Sequence, residues 1–321
     1  MNSLPILLIS AVLVTYVYGN TIPTRYDEEN FCPPPENIAP CTCFKAPVSN
    51  RITARCSNFT NSYEIKEIFD RNPEWNLQDV WIDHCVMPFL PAKMLETAHF
   101  QTLKVFSTSL VTLFDATPVT TPELNVYVSD VKILRGFRWK DIANSTLFEM
   151  ITTNMTIKSL GQDFKDNFPK GVERLWFEKS GITSIKNQAF SRLEKLKYLL
   201  LNGGSLKKLS RDWFPRPWGV IYLDLSNQKI ASIPEDFFTD LPDLSIFIFK
   251  ENLLTSISEK VFTNHDALYA FGGNPINCNC NIKWIIGKLK GLYLEGECAQ
   301  PESLKGTELK SLKAENFNFC H

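Results

Sequence analysis

Apolar positions recur at a fixed interval in the second half of the chain. Four stretches share one order of apolar and polar residues: LWFEKSGITSIKNQAF, LLLNGGSLKKLSRDWF, LDLSNQKIASIPEDFF and FIFKENLLTSISEKVF. Their last residues lie 24 positions apart, at Phe190, Phe214, Phe238 and Phe262. The alternating apolar residues at the start of each stretch predict a short strand with one buried face. The later apolar residues predict a return segment that packs on the next coil, because one coil cannot bury its own apolar face.

This order fits the leucine-rich-repeat pattern L-x-x-L-x-L-x-x-N-x-L-x-x-L, which LSIFIFKENLLTSI matches almost position for position. The resemblance to this repeat class implies an α/β solenoid with a curved parallel sheet on its concave face. We expect the repeats to cover residues 77–272, as about eight complete units and a truncated last one. The expected units begin at Leu77, Phe100, Thr121, Leu147, Val172, Leu196, Val220, Leu244 and Leu268.

The ninth position of each unit normally holds an asparagine that bonds the backbone of adjacent coils. On the register above, Asn252 is the one asparagine there, so we expect less regular turns than in a consensus solenoid. The other expected ninth positions hold Thr108, Ser129, Met155, Ser180, Gly204 and Gln228.

Eight of the nine cysteines lie in two groups of four that flank this repeat region, as expected when disulfides close the open ends of a solenoid. The groups are Cys32, Cys41, Cys43 and Cys56, and Cys278, Cys280, Cys298 and Cys320. Four cysteines allow three connectivities, so spacing alone leaves the pairing open. A Cys-x-Cys with distant partners is also compatible with zinc binding.

Both groups resemble the cysteine-rich caps of extracellular leucine-rich-repeat proteins. The C-terminal one, within 273–321, carries Asn274-Pro275, the Cys-x-Cys pair and Trp284 in an expected short helix; the N-terminal one lies within 32–76. The resemblance implies the disulfides Cys32–Cys43, Cys41–Cys56, Cys278–Cys298 and Cys280–Cys320.

The N-terminal motif CPPPENIAPCTC departs from most such caps, because eight residues separate its first two cysteines. In this respect it is similar to arthropod secreted leucine-rich-repeat proteins related to the non-catalytic subunit of decapod-shrimp luciferase. That likeness implies an accessory role beside a separate catalytic chain.

Residues 1–19 predict a signal peptide, with an uncharged apolar core and a small residue at the cleavage position. A membrane anchor is the alternative, but this apolar run is shorter than the roughly 20 residues a spanning helix needs. Residues 20–31 are expected to be flexible, and we expect no lipid anchor or membrane segment downstream. The sequons at Asn58, Asn144 and Asn154 predict a secreted glycoprotein.

The concave sheet is the expected binding surface. On the repeat register its outward positions include an apolar and aromatic stripe, which we expect to contact a protein partner. A register slip of one residue would instead bury these side chains and expose the leucines. The stripe contains Trp176, Tyr198, Leu200, Tyr222, Ile246 and Ile248.

Other function classes find little support. The 34 basic and 35 acidic residues give a net charge of −1, without the basic excess of a nucleic-acid-binding protein. The four histidines, at 84, 99, 265 and 321, lack metal-ligand spacing, and no G-x-S-x-G or phosphate-loop motif is present. We therefore expect no catalytic residues, cofactor or metal. The expected functions are a secreted binding protein or, alternatively, a non-catalytic accessory subunit that stabilises a separate secreted enzyme.

The segment WIDHC contains the one cysteine outside the two groups. Asp83, His84 and Cys85 are the residue types of a metal site or a thiol nucleophile. On the repeat register, however, Cys85 occupies a ninth position, which this class fills with Asn or Cys. We therefore expect a buried scaffold cysteine turned away from Asp83; a reactive free thiol, an intermolecular disulfide and a metal ligand are the alternatives.

Overall fold

The computed structural model describes residues 32–71, 76–97, 100–118, 123–262, 267–288 and 293–320. The expected signal peptide (1–19) and flexible segment (20–31) lie outside these ranges. The strands are β1 (Thr42–Lys45), β2 (Ile52–Ser57), β3 (Asp79–Asp83), β4 (Val86–Met87), β5 (Thr102–Phe106), β6 (Ser109–Leu110), β7 (Leu124–Ser129), β8 (Lys132–Ile133), β9 (Leu147–Thr153), β10 (Ser159–Leu160), β11 (Arg174–Glu178), β12 (Ser184–Ile185), β13 (Tyr198–Asn202), β14 (Tyr222–Asp224), β15 (Ile246–Ile248), β16 (Leu268–Ala270) and β17 (Tyr293–Glu295).

Helices in the described residues are short. The α-helices are α1 (Pro35–Ile38), α2 (Ser62–Arg71), α3 (Lys93–Thr97), α4 (Gln162–Asn167) and α5 (Ile285–Lys288). Single 3₁₀ turns occur at Trp139–Ile142, Arg211–Trp213, Glu259–Val261, Cys280–Ile282, Glu302–Leu304, Leu309–Ser311 and Ala314–Phe317.

Twelve strands form one sheet in the order β1-β2-β3-β5-β7-β9-β11-β13-β14-β15-β16-β17. Only β1 and β2 are antiparallel; the other neighbours in this sheet are parallel. Each coil therefore adds one strand beside the previous one. Two small parallel sheets, β4-β6-β8 and β10-β12, form where the coils turn away from the main sheet. The predicted leucine-rich-repeat solenoid with a curved parallel sheet is confirmed.

The core lies between the main sheet and the return segments. In β11, Leu175 and Phe177 are fully buried, whereas Arg174 and Trp176 on the opposite side are at least partly exposed. The repeated phenylalanines line the return side and touch their neighbours: the Phe190 and Phe214 ring centroids lie 5.2 Å apart. Because these rings connect one coil to the next, they supply part of the shared core that a stacked repeat requires.

Strand pairing corrects two of the expected unit boundaries. Val126 pairs with Leu103, which places the first position of that unit at Glu123. The expected start at Thr121 lies outside the described residues and two positions too early. Leu268 pairs with Ile246 and is therefore an outward residue; the last unit begins two positions before the expected start. The sequence pattern was wrong in both places because an acidic residue, Glu123 or Asp266, stands at the first position, where the pattern expects an apolar one.

The corrected register adds a second asparagine, Asn274, to the ninth positions. It also places Val131, in place of Ser129, at the ninth position of the third unit. Asn274 donates to the carbonyl oxygens of Phe249 and Phe271, both at 2.8 Å. Asn252 makes the same kind of bond to the Leu225 carbonyl at 2.9 Å. The expectation that Asn252 alone conforms was therefore wrong.

Gln228 extends this ladder of buried amides by one coil. Its Nε2 donates to the Leu201 carbonyl and its Oε1 accepts from the Leu206 amide, each at 3.0 Å. The longer glutamine fits because Gly204 lies beside it without a side chain. A Cβ at Gly204 would lie 2.5 Å from Gln228 Oε1 and 2.5 Å from the Ile182 carbonyl oxygen.

Four disulfides close the two ends of the solenoid, and they join the pairs that the cap resemblance implies. At the N-terminal end they are Cys32–Cys43 and Cys41–Cys56, and at the C-terminal end Cys278–Cys298 and Cys280–Cys320. The main sheet continues into both caps, since β2 and β17 are its outer parallel strands. The caps thus cover the end coils and also extend the concave surface.

Candidate functional site: the concave face

The outward side chains of the main sheet form columns across the strands, because paired residues of parallel strands lie side by side. In the C-terminal half, one column contains Arg174, Tyr198, Tyr222 and Ile246, and the next contains Trp176, Leu200, Asp224 and Ile248. Neighbouring strands lie about 4.8 Å apart, so consecutive members of a column are within contact distance.

Six members of these columns form what we call the concave stripe. Each is partly exposed, while the residues that alternate with them are buried. The six residues are Trp176, Tyr198, Leu200, Tyr222, Ile246 and Ile248. The structure therefore places all the predicted partner-binding residues on one continuous surface. The strands have the predicted register there, not the alternative that is shifted by one residue. Their role in binding stays a prediction.

Asp224 is an acidic residue that the stripe residues surround. It lies between Leu200 and Ile248 in its column and is 7% exposed. Its Oδ1 accepts the Ser226 amide at 2.8 Å, and its Oδ2 lies 3.5 Å from the Tyr222 hydroxyl oxygen. Burial raises the pKa of the Asp224 carboxyl above its usual range. Burial likewise raises the pKa of the Tyr222 hydroxyl, which stays protonated at neutral pH.

The N-terminal half of the concave face carries aromatic rings and cations that the sequence reading did not select. Trp81 makes edge-to-face contacts with Phe44 and Phe106, at centroid distances of 5.7 and 6.4 Å. Lys104 Nζ lies 4.9 Å from the Trp81 ring centroid and 5.6 Å from that of Tyr127. Burial lowers the pKa of the Lys104 ammonium. The sequence does contain a signal for these residues. Trp81, Lys104 and Tyr127 are the central residues of the triplets V-W-I, L-K-V and V-Y-V, and a strand alignment of these triplets puts all three on the outward face.

Three buried acids of this half are held by arginines on neighbouring strands or loops. Arg51 Nε lies 2.6 Å from Asp79 Oδ1, and Arg174 lies 3.8 Å from Glu149. The third pair joins Arg55 to Asp83. Glu149 also accepts the Tyr127 hydroxyl. These carboxylates are therefore neutralised within the chain.

WIDHC contributes Trp81 and Asp83 to this surface, and Ile82 and Cys85 to the core. Asp83 ends β3 and contacts His84, whose Nδ1 lies 2.5 Å from the carboxylate, so these two groups do converge. Cys85 turns the other way and is fully buried, and its Sγ lies 3.3 Å from the Asp83 carbonyl oxygen. Burial raises the pKa of the Cys85 thiol. Among the described residues no group of three or more His, Cys, Asp or Glu side chains is arranged to hold a metal ion; His99, His265 and His321 lie outside them.

The asparagines of the three sequons are all exposed. Asn58 and Asn154 follow β2 and β9 directly, with left-handed φ angles of 62° and 54°, and so lie along the same edge of the main sheet. Asn154 Nδ2 donates to Asp130 Oδ1 at 2.6 Å. Asn144 lies before β9, at the opposite end of that strand.

Comparison with known proteins places the repeats in a broader context. Residues 171–274 match the model of the BspA type leucine-rich-repeat region, in six copies. The non-catalytic subunit of Oplophorus-luciferin 2-monooxygenase from Oplophorus gracilirostris is 25% identical over 368 residues, covering 98% of this chain and 97% of the relative. Leucine-rich repeat and fibronectin type III domain-containing protein 1 of Danio rerio is 23% identical over 47% of this chain.

A receptor also shares part of the sequence. The high affinity nerve growth factor receptor of Gallus gallus is 36% identical over 89 residues, which are 27% of this chain. The alignments span 24% of the Danio rerio protein and 11% of this receptor, so each of these two proteins matches the chain over only a small part of its own length. Within the described part of the chain, no helix is both long and apolar enough to cross a bilayer.

Proposed function

We propose that this chain, a leucine-rich-repeat solenoid with disulfide-bonded caps, is a secreted protein that binds a protein partner on its concave face. The observation that carries the proposal is the concave stripe. Six apolar or aromatic side chains lie next to one another and remain partly exposed on a sheet whose other face is fully packed. Exposed aromatic clusters of this kind are typical of protein interfaces, where tyrosine and tryptophan dominate the binding energy.

An extracellular location fits the chemistry of the chain. Four disulfides, at both ends, are stable in an oxidising compartment and uncommon in a reducing one. The sequon asparagines Asn58, Asn144 and Asn154 are exposed, as the attachment of an oligosaccharide requires. The predicted signal peptide at 1–19 supports the same location. We propose glycosylation at these sequons and no catalytic role for the chain.

The alternative function is that of a non-catalytic accessory subunit. It is supported by the relative from Oplophorus gracilirostris, which is named as a non-catalytic subunit and aligns with nearly the whole chain. Under this alternative the concave face holds a separate secreted enzyme and stabilises it. The two functions share one binding surface and differ in the nature of the partner.

The concave stripe is tested with the double variant Tyr198→Ala/Tyr222→Ala. Partners are first captured from the native fluid with the glycosylated chain, and the affinity of the purified partner is then measured for each variant. Truncating a central interface tyrosine costs about 2 kcal/mol or more, so we expect at least roughly thirtyfold weaker binding. Tyr63→Ala is the matched control, because Tyr63 is an exposed tyrosine of α2, away from the main sheet. Unchanged affinity of the double variant would refute concave binding.

The accessory role is tested on the same captured complex. An enzyme recovered at fixed stoichiometry, whose activity half-life shortens when the chain is removed, supports the alternative. A receptor or other non-enzymatic partner supports the general binding role.

A further inference from the structure

Asp224 differs from the other buried acids of the concave face. Asp79, Asp83 and Glu149 each form an ion pair with an arginine. Asp224 is buried to a similar extent, but within the described part of the chain it forms no ion pair. Lys250, a lysine close enough to attract it electrostatically, instead lies 2.6 Å from Glu295.

The surroundings of Asp224 make this isolation costly. Leu200 and Ile248 flank it across the strands, and apolar neighbours give no compensation for the water that the carboxylate loses. The Ser226 amide supplies one good hydrogen bond. The Tyr222 hydroxyl adds one long hydrogen bond, at 3.5 Å. A buried carboxylate with these two donors and no ion-pair partner among the described residues is poorly compensated inside the chain, and a cation brought by another molecule would restore the balance.

We propose that Asp224 is the specificity-determining residue of the concave stripe and receives a lysine or arginine side chain from the partner. This inference rests on the proposed function, because it requires the partner to lie on the stripe. The recognised segment carries a cationic side chain with apolar groups on both sides, which pack against Leu200, Ile248 and the stripe tyrosines.

The first test is the stability of the isolated chain. Asp224→Asn keeps the acceptor for the Ser226 amide and removes an uncompensated charge, so we expect an unchanged or higher Tm. Asp79→Asn is the matched control: it removes a buried charge that Arg51 compensates, and we expect its Tm to fall by a few degrees. If Asp224→Asn lowers Tm as much as Asp79→Asn does, Asp224 is a structural residue and the proposal is wrong.

The second test uses two synthetic peptides in which an arginine or a citrulline lies between leucines. Citrulline has nearly the shape of arginine but no charge. Binding is followed by tryptophan fluorescence and by the NMR signals of the stripe tyrosines. The wild-type chain is expected to bind the arginine peptide at least tenfold more tightly, and Asp224→Asn to bind both peptides equally. Equal binding of the two peptides to the wild-type chain, or no binding of either up to its solubility limit, overturns the proposal.

The affinity for the natural partner distinguishes a failure of the Asp224 proposal from a failure of the proposed function. If Tyr198→Ala/Tyr222→Ala abolishes partner binding but Asp224→Asn leaves it unchanged, binding on the concave face is supported and the proposed role of Asp224 is refuted. If neither variant changes the affinity, the proposed function itself fails.

Discussion

Replacing Gln228 by alanine tests how the buried amide ladder holds adjacent coils in register. The Gln228 side chain joins two coils through its bonds to Leu201 and Leu206, both at 3.0 Å. A net hydrogen bond contributes about 1 kcal/mol, and a buried backbone group left without a partner costs about 1–3 kcal/mol. Losing both bonds is therefore expected to lower the free energy of unfolding by about 2–5 kcal/mol, a large part of the roughly 5–15 kcal/mol typical of a folded protein.

The assay is equilibrium urea unfolding of the purified chain, followed by tryptophan fluorescence and by circular dichroism. Lys229→Ala is the matched control, because Lys229 is the next residue and is exposed; surface changes of this kind usually stay within about 0.5 kcal/mol. If the Gln228→Ala and Lys229→Ala variants unfold at the same urea concentration, the view that the Gln228 amide connects the coils is refuted.

Three further predictions concern the packing of the chain. Cys85 is buried and its thiol pKa is raised, so a thiol reagent should label it slowly in the native chain and rapidly in denaturant; fast native labelling would contradict its scaffold role. Gly204→Ala places a Cβ 2.5 Å from a backbone carbonyl and should destabilise by about 1–3 kcal/mol in urea unfolding, whereas Gly161→Ala, which has open space, should be nearly neutral. Replacing both Cys280 and Cys320 by serine removes a cross-link over 40 residues and should cost about 4 kcal/mol; an unchanged Tm would contradict this.

The repeat pattern predicted the solenoid and its regular second half because the regularly spaced apolar residues define the inward face of each strand and also form the core. Wherever every inward position holds Leu, Ile, Val or Phe, as in the units that begin at Val172 and Val220, the expected and observed registers agree. In the strand that ends at Ser129, apolar residues occupy Leu124, Val126 and Val128, so two registers fit the sequence almost equally. Pairing with Leu103 decides between them, and that contact is not encoded locally.

The candidate site was less predictable for a similar reason. The stripe residues follow from the strand register, whereas the charge pairs of the N-terminal half depend on which strands become neighbours. Arg55 and Asp83 are 28 residues apart in sequence, and nothing local links them. The isolation of Asp224 also appears only when the pairs around the other acids are known.

The placement of the partner on the concave face is the central claim. It is tested most directly by oxidative footprinting of aromatic side chains, in the free chain and in the complex with the captured partner. Binding on the stripe predicts strong protection of Trp176, Tyr198 and Tyr222, with the oxidation rate of Tyr63 unchanged. Protection of Tyr63 with undiminished oxidation of the three stripe residues would contradict the account.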